Sequence, residues 1–369
     1  MRPALVLCGI ALAAGVPVTL LQAQVPPPEA AKAAPKAPGP ADKGKAAEKG
    51  KAADKAKTDG KAKAAAKKPK PPPAKELFGA AKAPAALEAR AIGFYAKGCL
   101  AGAKALPIDG PAWQHMRLSR NRNWGHPNLV ALVEKLALEA KQHDGWSGLL
   151  VGDLSQPRGG PMLTGHASHQ IGLDADIWLT PMPNRRLTQK EREELSATSM
   201  LAADRVSVDP AIWTDAHVRI LKRASSYAEV ERVLVHPAIK KALCEATAKD
   251  KDRAWVSKVR PYWGHHYHFH IRIACPKGST NCQAQPSPGG DDGCGKELKH
   301  WLALVKVPPK PGPPGPGKPP ITMDQLPAEC RSVLASGADA PQPAAGKPSA
   351  KAAKPAAKKG DPKKASAGK

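Results

Sequence analysis

No two of the seven cysteines stand at C-x-x-C spacing, so the close thiolate pairs of a structural zinc site are missing. Aromatic residues make up only 4% of the 369-residue chain, and they are not interleaved with its lysine runs. Nucleic acid is therefore a poor fit as a partner, despite a formal net charge of +25. The apolar run at the start, Ala4 to about Leu21, is broken by Gly9, Gly15 and Pro17, which disfavours a membrane anchor. The chain has no internal repeat and no strict βαβ alternation, which leaves an α+β domain as the fold class.

What stands at the start reads as an export signal: Met1-Arg2, the apolar run, then a small residue at Ala23. Cleavage near Ala23 would remove Cys8 and leave Cys99, Cys244, Cys275, Cys282, Cys294 and Cys330. An even count in an exported chain predicts three disulfides, with fifteen possible connectivities. Charge is unevenly spread. Residues 24–84 hold fifteen lysines against six acids, and residues 337–369 hold eight against two. Lysine, alanine and proline without an apolar face bury no core, so both segments are expected to be disordered. They suit an anionic cell-wall or outer-membrane surface, or serve as a solubilising, wall-spanning tether. The expected organisation is a signal peptide at 1–23, a linker at 24–86, one domain at 87–335 and a basic tail at 336–369.

About 220 residues from Leu87 to Val307 suffice for one compact core. Ala91 to Leu106 reads as a glycine-punctuated edge segment tied down by Cys99. Pro127 opens a helical pattern in which Leu129, Val130, Leu132, Val133, Leu136 and Ala137 recur up to Lys141. Gly148 to Asp153 reads as a buried strand, and Gly172 to Leu179 as a second. Thr188, with Glu191 three residues on, predicts a capped helix to Ala203, and Pro210 to Ser225 predicts another. Val230 to Val235 is a β-branched strand, followed by His236-Pro237 and a short helix ending near Cys244. Beyond Cys275 the chain is loop-rich, with a proline and glycine linker over 308–320 and a last short helix around Cys330. The strands are expected to form a central antiparallel sheet.

Four of the twelve histidines fall within six residues of Gly264-His265-His266-Tyr267-His268-Phe269-His270-Ile271-Arg272-Ile273. Side chains two apart on a strand share a face, so His266, His268 and His270 are expected to point one way. Imidazoles on a rigid strand bind a transition metal or act as acid and base, although clustered histidines also occur as solvated loop residues. Upstream, His169 and Asp176 are separated by six residues, and Asp176 sits in an apolar stretch. A carboxylate there is costly unless paired or metal-bound. His169, Asp176 and His270 supply two imidazoles and one carboxylate, which with a water in the fourth position is a ligand set of catalytic zinc. Zinc lowers the pKa of its water to about 7, giving a nucleophile near neutral pH. His268 is placed to accept the proton of that water or to stabilise the tetrahedral intermediate.

Gly165-His166-Ala167-Ser168-His169-Gln170-Ile171-Gly172-Leu173-Asp174-Ala175-Asp176 closely resembles the signature of the penicillin-insensitive murein endopeptidases, and His268-Phe269-His270 resembles their H-x-H. The likeness extends to Ser119-Arg120-Asn121-Arg122-Asn123-Trp124-Gly125-His126-Pro127, Gly152-Asp153, Val259-Arg260-Pro261 and Asp292-Gly293-Cys294-Gly295, and so spans about Ile92 to Cys330. The resemblance implies a periplasmic zinc peptidase related to the lysostaphin and D-alanyl-D-alanine peptidase superfamily. Its substrate would be peptidoglycan, cut at the D-alanyl–meso-diaminopimelyl cross-link, and penicillin would not act because no serine is acylated.

By matching position the resemblance makes His169, Asp176 and His270 the zinc ligands and His268 the catalytic histidine, with His265 lining the site. It further implies metal contacts from His166 and Asp204, although the position expected to pair with Asp204 as histidine is Ser207, which leaves His166 the alternative of contacting substrate. Asp174 would orient a ligand imidazole or be an ordinary surface aspartate. The implied disulfides are Cys99–Cys330, Cys244–Cys294 and Cys275–Cys282, the first closing a loop worth about 4–5 kcal/mol on the chain-entropy model. Arg120, Arg122 and Arg260 are candidates for the carboxylates of diaminopimelate-containing peptides, or else form surface salt bridges. Two other functions stay open: a dipeptidase or carboxypeptidase of the same superfamily trimming stem peptides, and a non-catalytic wall-binding protein.

Overall fold

In a computed structural model the described residues are 71–306 and 319–337. The expected export signal, most of the lysine-rich linker and the basic tail lie outside them. The elements run α1 (Ala74–Ala80), β1 (Arg90–Phe94), β2 (Lys97–Ala101), β3 (Lys104–Ala105), β4 (Trp113–His115), β5 (Trp124–Gly125), α2 (Pro127–His143), β6 (Leu149–Val151), β7 (Asp174–Pro181) and α3 (Gln189–Glu194). They continue with α4 (Asp215–Ser226), β8 (Val230–Val235), α5 (Pro237–Ala246), β9 (Val259–Pro261), β10 (His268–Ile273), α6 (Lys296–Lys306) and α7 (Glu329–Ala335).

Six strands form the central sheet in the order β4-β6-β7-β10-β8-β9. The fold is α+β, and the four inner strands pair antiparallel as expected. Both edge strands instead pair parallel, β4 with β6 and β9 with β8, so the sheet is mixed. The reason lies in the connections. A helical crossover returns the chain in its original direction, and α2 lies between β4 and β6 just as α5 lies between β8 and β9.

Alternation along the inner strands sorts their side chains. Ala175, Ile177, Leu179, Phe269, Ile271, Ile273, Val233 and Val235 face the core, as does Val259 on the edge strand β9. There they meet Leu129, Val133 and Leu136 of α2, Ile220 and Leu221 of α4, and Ile239 and Leu243 of α5. Phe269 is fully buried, and truncating it to alanine would cost about 3–5 kcal/mol. Residues between these positions fall on the other face, and the register lines them up in rows. Asp176, His270 and Leu234 form one row, while Asp174, Arg272 and Arg232 form the next. Arg260 on β9 lies opposite Leu234.

Ordered structure begins before Leu87, which corrects the linker expected over 24–86. α1 buries Ala74 and Phe78 against Ala85, Ile92, Cys99, Cys330 and Val333. Leu77 and Phe78 are an isolated apolar pair in lysine-rich surroundings, and only the tertiary partners of Phe78 reveal the helix. The three disulfides implied by the resemblance are formed: Cys99–Cys330, Cys244–Cys294 and Cys275–Cys282. The helix expected over 188–203 starts with the Thr188–Glu191 capping box but stops at Glu194. Arg117 ends it by donating to the carbonyls of Arg192, Glu193 and Leu195. The helix expected from Pro210 starts later, at Asp215, where His217 Nδ1 accepts from the Thr214 N–H. α6 occupies a stretch that reads as loop, and buries Leu298 and Val305. Among the described residues no helix is long and apolar enough to cross a membrane.

Candidate active site

β7 and β10 place Asp176 and His270 side by side, with His268 one pleat away and Asp174 one pleat in the other direction. Three imidazoles meet Asp176 Oδ1: His270 Nδ1 at 3.2 Å, His169 Nε2 at 3.4 Å and His268 Nε2 at 3.7 Å. Asp176 Oδ2 lies 3.5 Å from His166 Nδ1. Asp176, His169, His268 and His270 are all buried, while His166 is partly open to solvent. Burial alone would raise the Asp176 carboxyl, but the imidazoles of His268, His169 and His270 outweigh it and hold it well below the usual carboxylate range.

His169 comes from the loop between β6 and β7 with φ +66°, a conformation costly for a residue with a Cβ. Three contacts keep it there. Its N–H donates to Asp174 Oδ2 at 2.9 Å, its carbonyl accepts from the Ser155 hydroxyl at 2.6 Å, and its Nδ1 lies 2.6 Å from the Leu154 carbonyl. A carbonyl can only accept, so the ring proton belongs on Nδ1 and Nε2 turns a lone pair towards Asp176. His270 is oriented through its other nitrogen: Nε2 lies 2.8 Å from Asp174 Oδ1, which turns Nδ1 towards Asp176. Asp174 is fully buried. Burial pushes its carboxyl upwards, and Arg272 and His270 together more than reverse that, so it stays ionised.

His169 Nε2, His270 Nδ1 and Asp176 Oδ1 therefore converge on one point. His169 Nε2 and Asp176 Oδ1 are both buried without a hydrogen-bond partner. Acceptors facing one another repel unless a cation lies among them. Ring N–H groups given outward to a carbonyl and a carboxylate are also how metal-ligating histidines are oriented. The residues thus fit a divalent transition metal. His166 offers a further donor, since its ligand atom and those of His169 and Asp176 lie within 4.8 Å of one another.

Around this centre, His166 Nε2 lies 3.0 Å from Asp153 Oδ2, which also pairs with Arg120 at 3.0 Å and Arg122 at 2.8 Å. Burial would raise the Asp153 carboxyl, but His166 and the two arginines hold it down. Burial lowers His268 to about 4, against the opposing pull of Asp176. It likewise lowers His265 to about 3, helped by the neighbouring His270 and His268. Both rings are thus neutral at neutral pH.

Two clefts meet here, of about 290 and 400 Å³. Asp176, His268, Trp178, Arg117 and Arg120 wall the first, while His265, His270, Arg232, Arg260, Tyr262 and Trp301 wall the second. His166 lines both.

Of the expected site residues, the structure brings together His166, His169, Asp176, His265, His268 and His270, with Asp174 behind them. It does not bring Asp204 to them through any hydrogen bond or ion pair. Asp204 lies in an exposed turn, accepting from the N–H groups of Val206 and Ser207 and from the Ser207 hydroxyl. His266 precedes β10 and meets the Ser199 hydroxyl at 3.0 Å, so strand periodicity does not govern it. Of the arginines considered for substrate, Arg122 is buried against Asp153 and Arg260 pairs with Glu297 at 3.0 Å. Arg120 keeps 46% of its side chain exposed. Sequence reasoning gave Asp153 no role, although it lies in a stretch that shares the family resemblance and ends an apolar strand, where a carboxylate needs a partner.

The model of a family described as penicillin-insensitive murein endopeptidase matches residues 91–335. A Haemophilus influenzae protein named penicillin-insensitive murein endopeptidase is 42% identical over 252 residues, covering 68% of this chain and 84% of that protein. A Klebsiella pneumoniae subsp. pneumoniae protein of the same name is 40% identical over 248 residues, covering 67% and 86%. A third of that name, from Salmonella newport, is 39% identical over 246 residues, again covering 67% and 86%.

Proposed function

The chain belongs to the penicillin-insensitive murein endopeptidase family, and from that premise we propose that it is a zinc-dependent periplasmic endopeptidase that hydrolyses D-alanyl–meso-diaminopimelyl cross-links in peptidoglycan. The observation that carries the metal reading is the convergence of His169 Nε2, His270 Nδ1 and Asp176 Oδ1, with His169 Nε2 and Asp176 Oδ1 buried and lacking any hydrogen-bond partner. When bound by His169, Asp176 and His270, with His166 beside them, zinc supplies charge to polarise the scissile carbonyl and to acidify a water. Asp174 and the Leu154 carbonyl hold the ligand rings in the required tautomers. His268, neutral and beside Asp176, accepts the proton of the attacking water and returns it to the departing amine. His265 packs against His268, their ring centroids 4.8 Å apart, and limits where that ring can turn. Arg117 and Arg120 lend positive charge to the first cleft, which suits an anionic stem peptide.

Clefts on both sides of the centre accommodate chain on both sides of the cleaved bond, which favours cutting a cross-link over trimming an end. Nothing in this chemistry requires an acylated serine, so penicillin has no nucleophile to trap. Three disulfides suit an oxidising compartment outside the cytoplasm. The test is digestion of purified cross-linked muropeptides read by mass spectrometry, with chelator and then with zinc restored. Dimers should disappear, survive in chelator, and disappear again on zinc addition. Shortened monomers with intact dimers would point to stem-peptide trimming, and cleavage indifferent to a strong chelator would sink the metal reading.

A further inference from the structure

Three arginines on neighbouring strands wall the second cleft: Arg272 on β10, Arg232 directly opposite it on β8, and Arg260 on β9. Two of them are neutralised, Arg272 by Asp174 at 2.7 Å and Arg260 by Glu297 at 3.0 Å. Among the described residues Arg232 forms no ion pair with a carboxylate. Its guanidinium has one acceptor, the Pro286 carbonyl, and its Nε is buried without a partner. A guanidinium carries five N–H donors, so most of its capacity is unused.

The placement is unfavourable for stability. Like charges directly opposite on antiparallel strands repel. Burial and the adjacent Arg272 and Arg260 also press the Arg232 pKa downwards. A ligand anion would offset the repulsion and fill the empty donors, in a cleft that also contains His265 and His270.

We propose that Arg232 binds a carboxylate of the peptide substrate and so selects peptides bearing a free carboxylate on that side of the cleaved bond. This rests on the endopeptidase reading and names the substrate group that the second cleft takes. Arg232 is a specificity residue, distinct from the metal-binding set.

The experiment gives the zinc-loaded protein a D-alanyl–meso-diaminopimelyl cross-linked dimer and the same dimer with its diaminopimelyl carboxylates amidated. Amidation should raise KM roughly tenfold or more, with kcat changed less than about twofold. Arg232→Gln should raise KM by the same factor for the acid and scarcely at all for the amide, with Arg232→Lys intermediate. Because the arginine stands in a repulsive pair, Arg232→Gln should keep its zinc content and keep or raise its Tm. Equal KM for both dimers in the unmodified protein, an equal penalty on both in Arg232→Gln, or a loss of Tm in that variant would overturn the proposal. If the unmodified protein cuts neither dimer, the endopeptidase reading fails instead. Calorimetric titration of the acid dimer then still decides the subsite: roughly tenfold weaker binding to Arg232→Gln upholds it, and equal binding overturns it.

Discussion

Replacing Asp174 by asparagine preserves its size and removes its charge. The carboxylate accepts from His270 Nε2 at 2.8 Å, from Arg272 Nε at 2.7 Å and Nη2 at 3.4 Å, and from the His169 N–H at 2.9 Å. It is fully buried, and only 8% of the Arg272 side chain is exposed. Removing one partner of a buried pair leaves an uncompensated charge, at a cost of about 3–5 kcal/mol. Arg272 keeps two supports, the Tyr95 ring 4.1 Å from its guanidinium carbon and the Gln285 side chain. The loss should therefore fall at the low end, about 3 kcal/mol. Zinc affinity should fall by roughly 10–100-fold, because the neutral amide no longer fixes His270 with its proton on Nε2. Chemical denaturation of the metal-free protein reads the first quantity, and competition with a chromophoric chelator reads the second. A variant that loses stability yet binds zinc as tightly as before would refute the argument that Asp174 orients His270. Unchanged stability would refute the argument from buried charge.

His270→Ala should abolish activity and weaken zinc binding, whereas His268→Ala should lower activity with the metal largely retained. Equal metal loss in both would make His268 a ligand. Lys240 is fully buried with its Nζ donating to the carbonyls of Val256 and Asp292, and burial brings its pKa from 10.5 down to about 8. Between about pH 8 and 10.4 the unfolded chain then binds more protons at this position than the folded one, so its contribution to stability rises with pH. Urea unfolding should show the unmodified protein gaining on Lys240→Met across that window, and a constant difference would mean that Lys240 stays charged.

The histidine and aspartate alternation on β7 and β10 is legible because a strand sorts its side chains by face whatever it pairs with. Which residues then stand opposite each other depends on strand order, which carries no local signal. That is why the Arg232–Arg272 juxtaposition and the contact of His166 with Asp153 emerge only from the fold. Helix starts read well at Thr188 and Pro127, where the cap is local chemistry. The end at Glu194 does not, since the group that takes its last carbonyls is Arg117, far upstream. His266 shows the limit of periodicity: it applies only once the strand boundary is known.

The two ends of the described domain lie against each other. The Ala74 N–H donates to the Ile321 carbonyl and the Ala86 N–H to that of Gly337, beside the Cys99–Cys330 bridge. For protein engineering, a purification tag or immobilisation anchor placed before Pro71 or after Gly337 therefore joins the domain at one patch. A circular permutant that links these ends and opens the exposed turn at Asp204 would keep all three disulfides, and the new termini would emerge elsewhere on the surface.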